Sequence, residues 1–60
     1  MDKVNPFYVL VDRDGDVEEM FPESMSLDWI LQIRDARSRA RQEEYKVYFL
    51  NNFELKEVKL

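Results

Sequence analysis

Residues 27–43 have the sequence LDWILQIRDARSRARQE. It contains no Gly or Pro and consists largely of good helix formers, which predicts one helix over Leu27–Glu43. Ser24 and Ser26 precede it as candidate N-caps, and Asp28 favours the first turn. Apolar residues recur at helical spacing, so we expect one stripe of the helix to face the core. This stripe comprises Trp29, Ile33, Ala36 and Ala40, with Ile30 beside it.

Short runs of β-branched and aromatic residues flank the helix on both sides and are typical of strands. The predicted strands are Phe7–Val11, Val17–Phe21, Tyr45–Leu50 and Phe53–Leu60. A polar stretch around Gly15, from Asp12 to Asp16, predicts a hairpin turn, and Asn51-Asn52 predicts a second. The order β-β-α-β-β predicts an α+β fold. Residues 1–60 would form a single domain, a four-stranded, mainly antiparallel sheet with one helix packed on one face.

The apolar pattern of the last predicted strand changes face along its length. Phe53 and Leu55 share one face, whereas Val58 and Leu60 share the other. An extra residue near Lys56–Glu57 would restore a single apolar face, so we expect a β-bulge there.

The first and third predicted strands are apolar on both faces. Phe7, Val9 and Val11 alternate with Tyr8 and Leu10, and Tyr45, Val47 and Phe49 alternate with Tyr48 and Leu50. Because a single helix covers only one face of a sheet, something outside the chain is expected to cover the other. A second copy is the simplest cover. We therefore predict a homodimer with Tyr8 or Tyr48 and their strand neighbours Leu10 and Leu50 in the contact.

Composition excludes several classes of function. The chain has no Cys and no His, so it lacks disulfides, thiolate or imidazole metal ligands and the commonest catalytic bases and thiol nucleophiles. We expect no enzyme, no catalytic residues and no cofactor. A net charge of −4 disfavours sequence-independent binding to nucleic acid or anionic lipid. Neither a signal peptide nor an apolar run of about 18 residues is present, which predicts a cytoplasmic protein without a membrane segment.

The acidic turn has partial calcium-loop spacing. Asp12, Asp14, Asp16 and Glu23 stand at loop positions 1, 3, 5 and 12. A calcium loop also needs Gly at position 6, which is Val17 here, and helical flanks. The hairpin turn is the better interpretation, and no metal site is predicted.

Arginines form a second cluster. Arg34, Arg37 and Arg41 share one face of the predicted helix, and Arg39 lies on another. Their guanidiniums suit carboxylate or phosphate groups of a partner, but nearby carboxylates can pair with them within the helix. Tyr8 and Tyr48 could in turn stack on RNA bases, although the strand motif of RNA-recognition domains is absent.

The leading hypothesis is a non-enzymatic regulatory, adaptor or inhibitor protein that binds another protein, acting as a homodimer. A compact acidic inhibitor that a phage directs against a host enzyme would belong to this class. The first alternative is a nucleic-acid-associated protein using the Arg34, Arg37 and Arg41 face or the sheet aromatics. The second is a structural subunit of a larger assembly. Salt-dependent binding to random DNA or RNA would separate the first alternative from the others.

Overall fold

The computed structural model describes residues 6–51 and 54–59. It confirms the predicted α+β fold and the β-β-α-β-β order. The elements are β1 (Phe7–Val11), β2 (Val17–Pro22), α1 (Leu27–Arg41), β3 (Lys46–Asn51) and β4 (Glu54–Val58).

The strands form one sheet in the order β2-β1-β3-β4, and every neighbouring pair is antiparallel. The two apolar strands, β1 and β3, therefore occupy the centre, and the more polar β2 and β4 form the edges. Because β2 and β3 both run antiparallel to β1, they run parallel to each other. Such a connection needs a long crossover, which α1 supplies as it passes over one face of the sheet.

The predicted hairpin turn between β1 and β2 is confirmed. Asp12 Oδ1 accepts hydrogen bonds from the backbone N–H groups of Asp14 and Asp16, each at 2.9 Å. Gly15 has a φ of 87°, a conformation that glycine adopts without a side-chain penalty. Immediately after the turn, the β1–β2 register shifts: Leu10 pairs with Glu19 but Val11 pairs with Val17, so β2 carries an extra residue. This is a bulge that the sequence pattern did not predict.

The prediction of a β-bulge near Lys56–Glu57 is wrong. Pairing between β3 and β4 runs without a shift from Asn51 opposite Glu54 to Val47 opposite Val58. Leu55 instead stays on the face away from the helix and is 60% exposed. Phe53 and Leu60, at the predicted ends of this strand, and Asn52 of the predicted turn lie outside the described residues.

Helix α1 begins at the predicted residue and ends two residues early. Ser26 is the N-cap by backbone conformation, but its side chain makes no capping hydrogen bond. At the other end Gln42 takes a left-handed conformation (φ 52°), and its N–H donates to the carbonyl of Ser38. A left-handed residue of this kind ends a helix, so Glu43 falls outside it.

The core lies between α1 and one face of the sheet. Its buried residues are Leu10, Phe21, Ile30, Leu31, Tyr45 and Val47. The helix contributes Ile30 and Leu31, with Leu27 half-buried beside them.

The prediction that this stripe of the helix faces the core is therefore wrong: it is Trp29, Ile33, Ala36 and Ala40 that were expected there. Trp29 is 55% exposed, Ala36 and Ala40 are exposed, and Ile33 is only half-buried at the margin of the core. Two apolar stripes overlap at the start of the helix. Only one of them is buried, and toward the C-terminus arginines take the place of apolar residues in it. Arginine stems can lie over a sheet while their charged ends reach the edge, which makes this orientation possible.

Candidate protein interface

The sheet face opposite α1, called the open face below, is assembled from all four strands. Residues that pair across strands share a face, so the register defines this surface directly. One row is Pro22, Phe7, Leu50 and Leu55; the middle row is Met20, Val9, Tyr48 and Glu57; the third is Val17, Val11 and Lys46.

The open face is apolar and uncovered by the described part of the chain. Val9, at its centre, is only 6% exposed because Met20 and Tyr48 flank it on the neighbouring strands. The side chains on the two edge strands are far more accessible: Met20, Val17 and Leu55 are 57–61% exposed. A contiguous apolar surface of this kind marks an interaction site more often than a chance exposure does.

Two charges interrupt the open face, and they have opposite signs. Lys46 lies on β3 next to Val11, and Glu57 lies on β4 next to Tyr48. The remaining residues of the three rows are apolar or, in Tyr48, aromatic with one polar atom. A complementary surface must therefore be apolar over most of its area and must offer one anion and one cation.

The structure separates the four sheet residues that the sequence analysis named. Tyr48 and its strand neighbour Leu50 lie on the open face, where the predicted contact can use both of them. Leu10 lies under the helix and is fully buried, so no partner can touch it in the folded domain. Tyr8 also lies on the helix side, where its ring packs against Phe49 with centroids 4.9 Å apart. The register causes this placement, because it pairs Leu10 with Val47 and Tyr8 with Phe49.

The residues of β1 that do line the open face are Phe7, Val9 and Val11, which the sequence analysis did not assign to a contact. Both faces of β1 are apolar, so the strand alone offers no signal for which face is covered. The sequence of β2 offers a signal instead, because Met20 follows two glutamates and Phe21 lies on the opposite face of the strand from Met20.

The arginine face is occupied by carboxylates of the same chain. Arg37 Nη2 lies 2.9 Å from Glu19 Oε1, and its Nη1 lies 3.9 Å from Glu18 Oε1. Arg41 Nη1 also lies 3.9 Å from Glu18, on its Oε2. The bulge in β2 explains why two successive glutamates can both reach the helix, since the extra residue disrupts the alternation of side chains.

The remaining arginines differ in their surroundings. Arg34 pairs with the adjacent Asp35 at 2.9 Å, whereas Arg39 is exposed on the outer side of the helix. A phosphate that used Arg34, Arg37 and Arg41 together would have to displace these carboxylates. The geometry therefore favours the intramolecular interpretation of the cluster over an anion site.

The acidic turn brings together three of its four predicted members. Oxygen atoms of Asp12, Asp14 and Asp16 lie within 4.8 Å of one another. Glu23 follows β2, at the far end of that strand from the turn, so calcium-loop spacing does not bring it to the cluster. One oxygen of Asp12 already accepts two backbone hydrogen bonds, which gives the turn a structural role.

No family model, curated protein or solved structure matches this chain. In the described part of the chain, no helix has the length and apolar character needed to cross a membrane.

Proposed function

We propose that this protein acts by protein–protein binding and that its open face binds a second copy of the chain, giving a homodimer. Regulatory, adaptor and inhibitor proteins all belong to this class. The observation that carries the proposal is the uncovered apolar face centred on Val9. Burying such a surface stabilises by about 25 cal/mol for each Å² removed from water, which is substantial for a domain of this size.

Charge supports a second copy as the occupant. In a face-to-face contact with twofold symmetry the axis lies between the two faces, and two residues meet when they lie opposite each other across the axis at equal distances from it. Strands about 4.8 Å apart and same-face residues about 6.8 Å apart place Lys46 and Glu57 both about 8–10 Å from Val9. An axis passing over Val9 can therefore bring Lys46 of each copy to Glu57 of the other. The open face supplies its own anion and cation.

Area supports a weak rather than an obligate dimer. Four strands of about five residues span a flat area of roughly 300 Å². Two such faces bury less than the roughly 1,200–2,000 Å² of a standard stable complex, even allowing for the relief of the side chains. We expect dissociation in the micromolar range, so that the dimer forms or separates with protein concentration.

The first test is sedimentation or light scattering from low to high micromolar concentration, with Met20→Glu as the variant. Met20 lies on an edge strand and is 61% exposed, so the substitution leaves the monomer folded while placing a charge in the proposed contact. We expect a loss of affinity of at least tenfold. The matched control is Ser24→Glu, which adds the same charge at an exposed residue of the turn between β2 and α1, outside the open face. An open-face contact that persists unchanged in Met20→Glu would contradict the proposal.

A charge exchange tests the twofold arrangement itself. Lys46→Glu and Glu57→Lys should each weaken their own homodimer, because each brings like charges together twice. A mixture of the two variants should restore association, since every cross-contact then joins a glutamate to a lysine. Each substitution also removes contacts that the side chain makes within its own sheet, but this loss is the same in the single variants and in the mixture. Recovery on mixing therefore reports only the contact between copies. Two variants that dimerise like the wild type, or that stay apart when mixed, would overturn the arrangement.

A further inference from the structure

A second apolar surface lies on the outer side of α1, away from the sheet. It consists of the exposed Trp29, Ala36 and Ala40 and of Ile33, which is half-buried at the margin of the core, and is called the outer stripe below. Trp29 is 55% exposed, and a tryptophan that becomes buried at a contact removes a large apolar area from water. Trp29 lines a depression of about 360 Å³ together with Ile33 and Ala36. This surface is independent of the open face.

The outer stripe has large residues at one end and small residues at the other. Trp29 and Ile33 occupy its first half, and Ala36 and Ala40 its second half. When two copies of the helix pack antiparallel, with the twofold axis between Ile33 and Ala36, Trp29 of each faces Ala40 of the other. Ile33 likewise faces Ala36. Each bulky side chain then meets a small one, which allows the close approach that good helix packing requires.

Charges beside the stripe follow the same twofold pattern. Asp28 lies at the start of one flank and Arg39 at its end, and both are exposed. Antiparallel packing brings Asp28 of each copy within reach of Arg39 of the other, on the same side of the contact. In a parallel twofold pair the same flank of the two helices lies on opposite sides of the contact, so Asp28 and Arg39 would not meet. The charges therefore favour one orientation as well as one occupant.

We infer that the outer stripe binds the outer stripe of another copy in an antiparallel helix pair. Because this stripe and the open face lie on opposite sides of the domain, one copy can use both at once. The chain can then assemble beyond a dimer, with sheet contacts and helix contacts alternating. Its biochemical role on this basis is that of a building unit in a larger homo-oligomeric assembly.

Cross-linking tests the orientation, and the absence of native cysteine makes it clean. The probe is Asp28→Cys/Arg39→Cys with a thiol-reactive cross-linker whose spacer is about 8 Å. The two positions are about 16 Å apart along one helix, so the reagent cannot join them within a copy. We expect covalent dimers of the double variant. Neither Asp28→Cys nor Arg39→Cys alone should cross-link, because in the antiparallel pair each position lies far from its own equivalent.

Mass measurements separate this contact from the open-face contact. We expect species larger than dimers for the wild type at high concentration, dimers for Met20→Glu and for Trp29→Glu, and monomers when both substitutions are combined. Circular dichroism checks that each variant is folded. If Trp29→Glu reaches the same mass as the wild type and the double cysteine variant does not cross-link, the helix contact is refuted while the sheet contact stands. Cross-linking of either single cysteine variant would refute the antiparallel orientation.

Discussion

Replacing Ile30 or Ile33 by valine tests which side of α1 faces the sheet. Ile30 is fully buried, whereas Ile33 is only half-buried at the margin of the core. Loss of one buried methylene from isoleucine typically costs about 0.5–1.5 kcal/mol, so Ile30→Val should destabilise by about 1 kcal/mol. We expect less than half of that for Ile33→Val, because water already reaches part of its side chain.

The assay is thermal unfolding followed by circular dichroism at a protein concentration low enough to prevent association. For a domain of this size, 1 kcal/mol corresponds to a change of about 4–8 °C in the melting temperature, so the two variants can be told apart. Valine is preferred to alanine. Ile30→Ala would cost about 2–5 kcal/mol, a large share of the few kcal/mol that stabilise a 60-residue domain.

The order of the two melting temperatures decides the question. If Ile33→Val were as destabilising as Ile30→Val, or more so, the helix would be rotated about its axis relative to the structure. Trp29 would then be part of the core, and the outer stripe would no longer exist as a surface.

Three further outcomes are expected. Tyr45→Phe should leave stability unchanged or raise it by up to about 1 kcal/mol, because the buried hydroxyl of Tyr45 has no hydrogen-bond partner among the described residues; a clear loss measured in urea would reveal a partner. Glu19→Gln should cost about 0.5 kcal/mol at low salt and nothing at 1 M salt, since its pair with Arg37 is partly exposed; a loss of stability that does not depend on salt would contradict this. Millimolar calcium should not change the melting temperature, because the Asp12 carboxylate already accepts hydrogen bonds from the backbone N–H groups of Asp14 and Asp16; a rise of several degrees with calcium but not magnesium would show a metal site.

The elements of this fold could be predicted from local signals, but their orientations could not. Gly15 and the residues around it define a turn whatever else the chain does, and the stretch from Leu27 has no helix breaker until the helix ends. The rotation of the helix depends on a choice between two apolar stripes that overlap near Ile30. That choice depends on packing against Leu10 and Val47 in the core, which are distant from the helix in sequence.

The sequence predicted that an apolar sheet face without a cover exists, but it did not predict which residues form that face. An apolar pattern on both faces of the central strands correctly indicates that one sheet face lacks a cover within the described chain. It cannot indicate which face of β1 the helix takes, because Leu10 and Val9 are equally suited to burial. The pairing of Arg37 with Glu19 was missed for the same reason, since the bulge that aims Glu18 and Glu19 at the helix depends on the register with β1.

The central pairing of β1 with β3 also determines the order in which parts of the chain become stable during folding. The β1–β2 and β3–β4 hairpins close short loops and can form within microseconds, but an isolated hairpin is at best marginally stable in water. Each gains lasting support only when β1 meets β3, a pairing that joins Phe7 near one end of the chain to Leu50 near the other. The helix must be placed over the sheet in the same step, because it forms the connection. Backbone amides at the centre of β1 and β3 should therefore exchange with deuterium only when the whole domain unfolds, which makes the chain one cooperative unit despite its two hairpins.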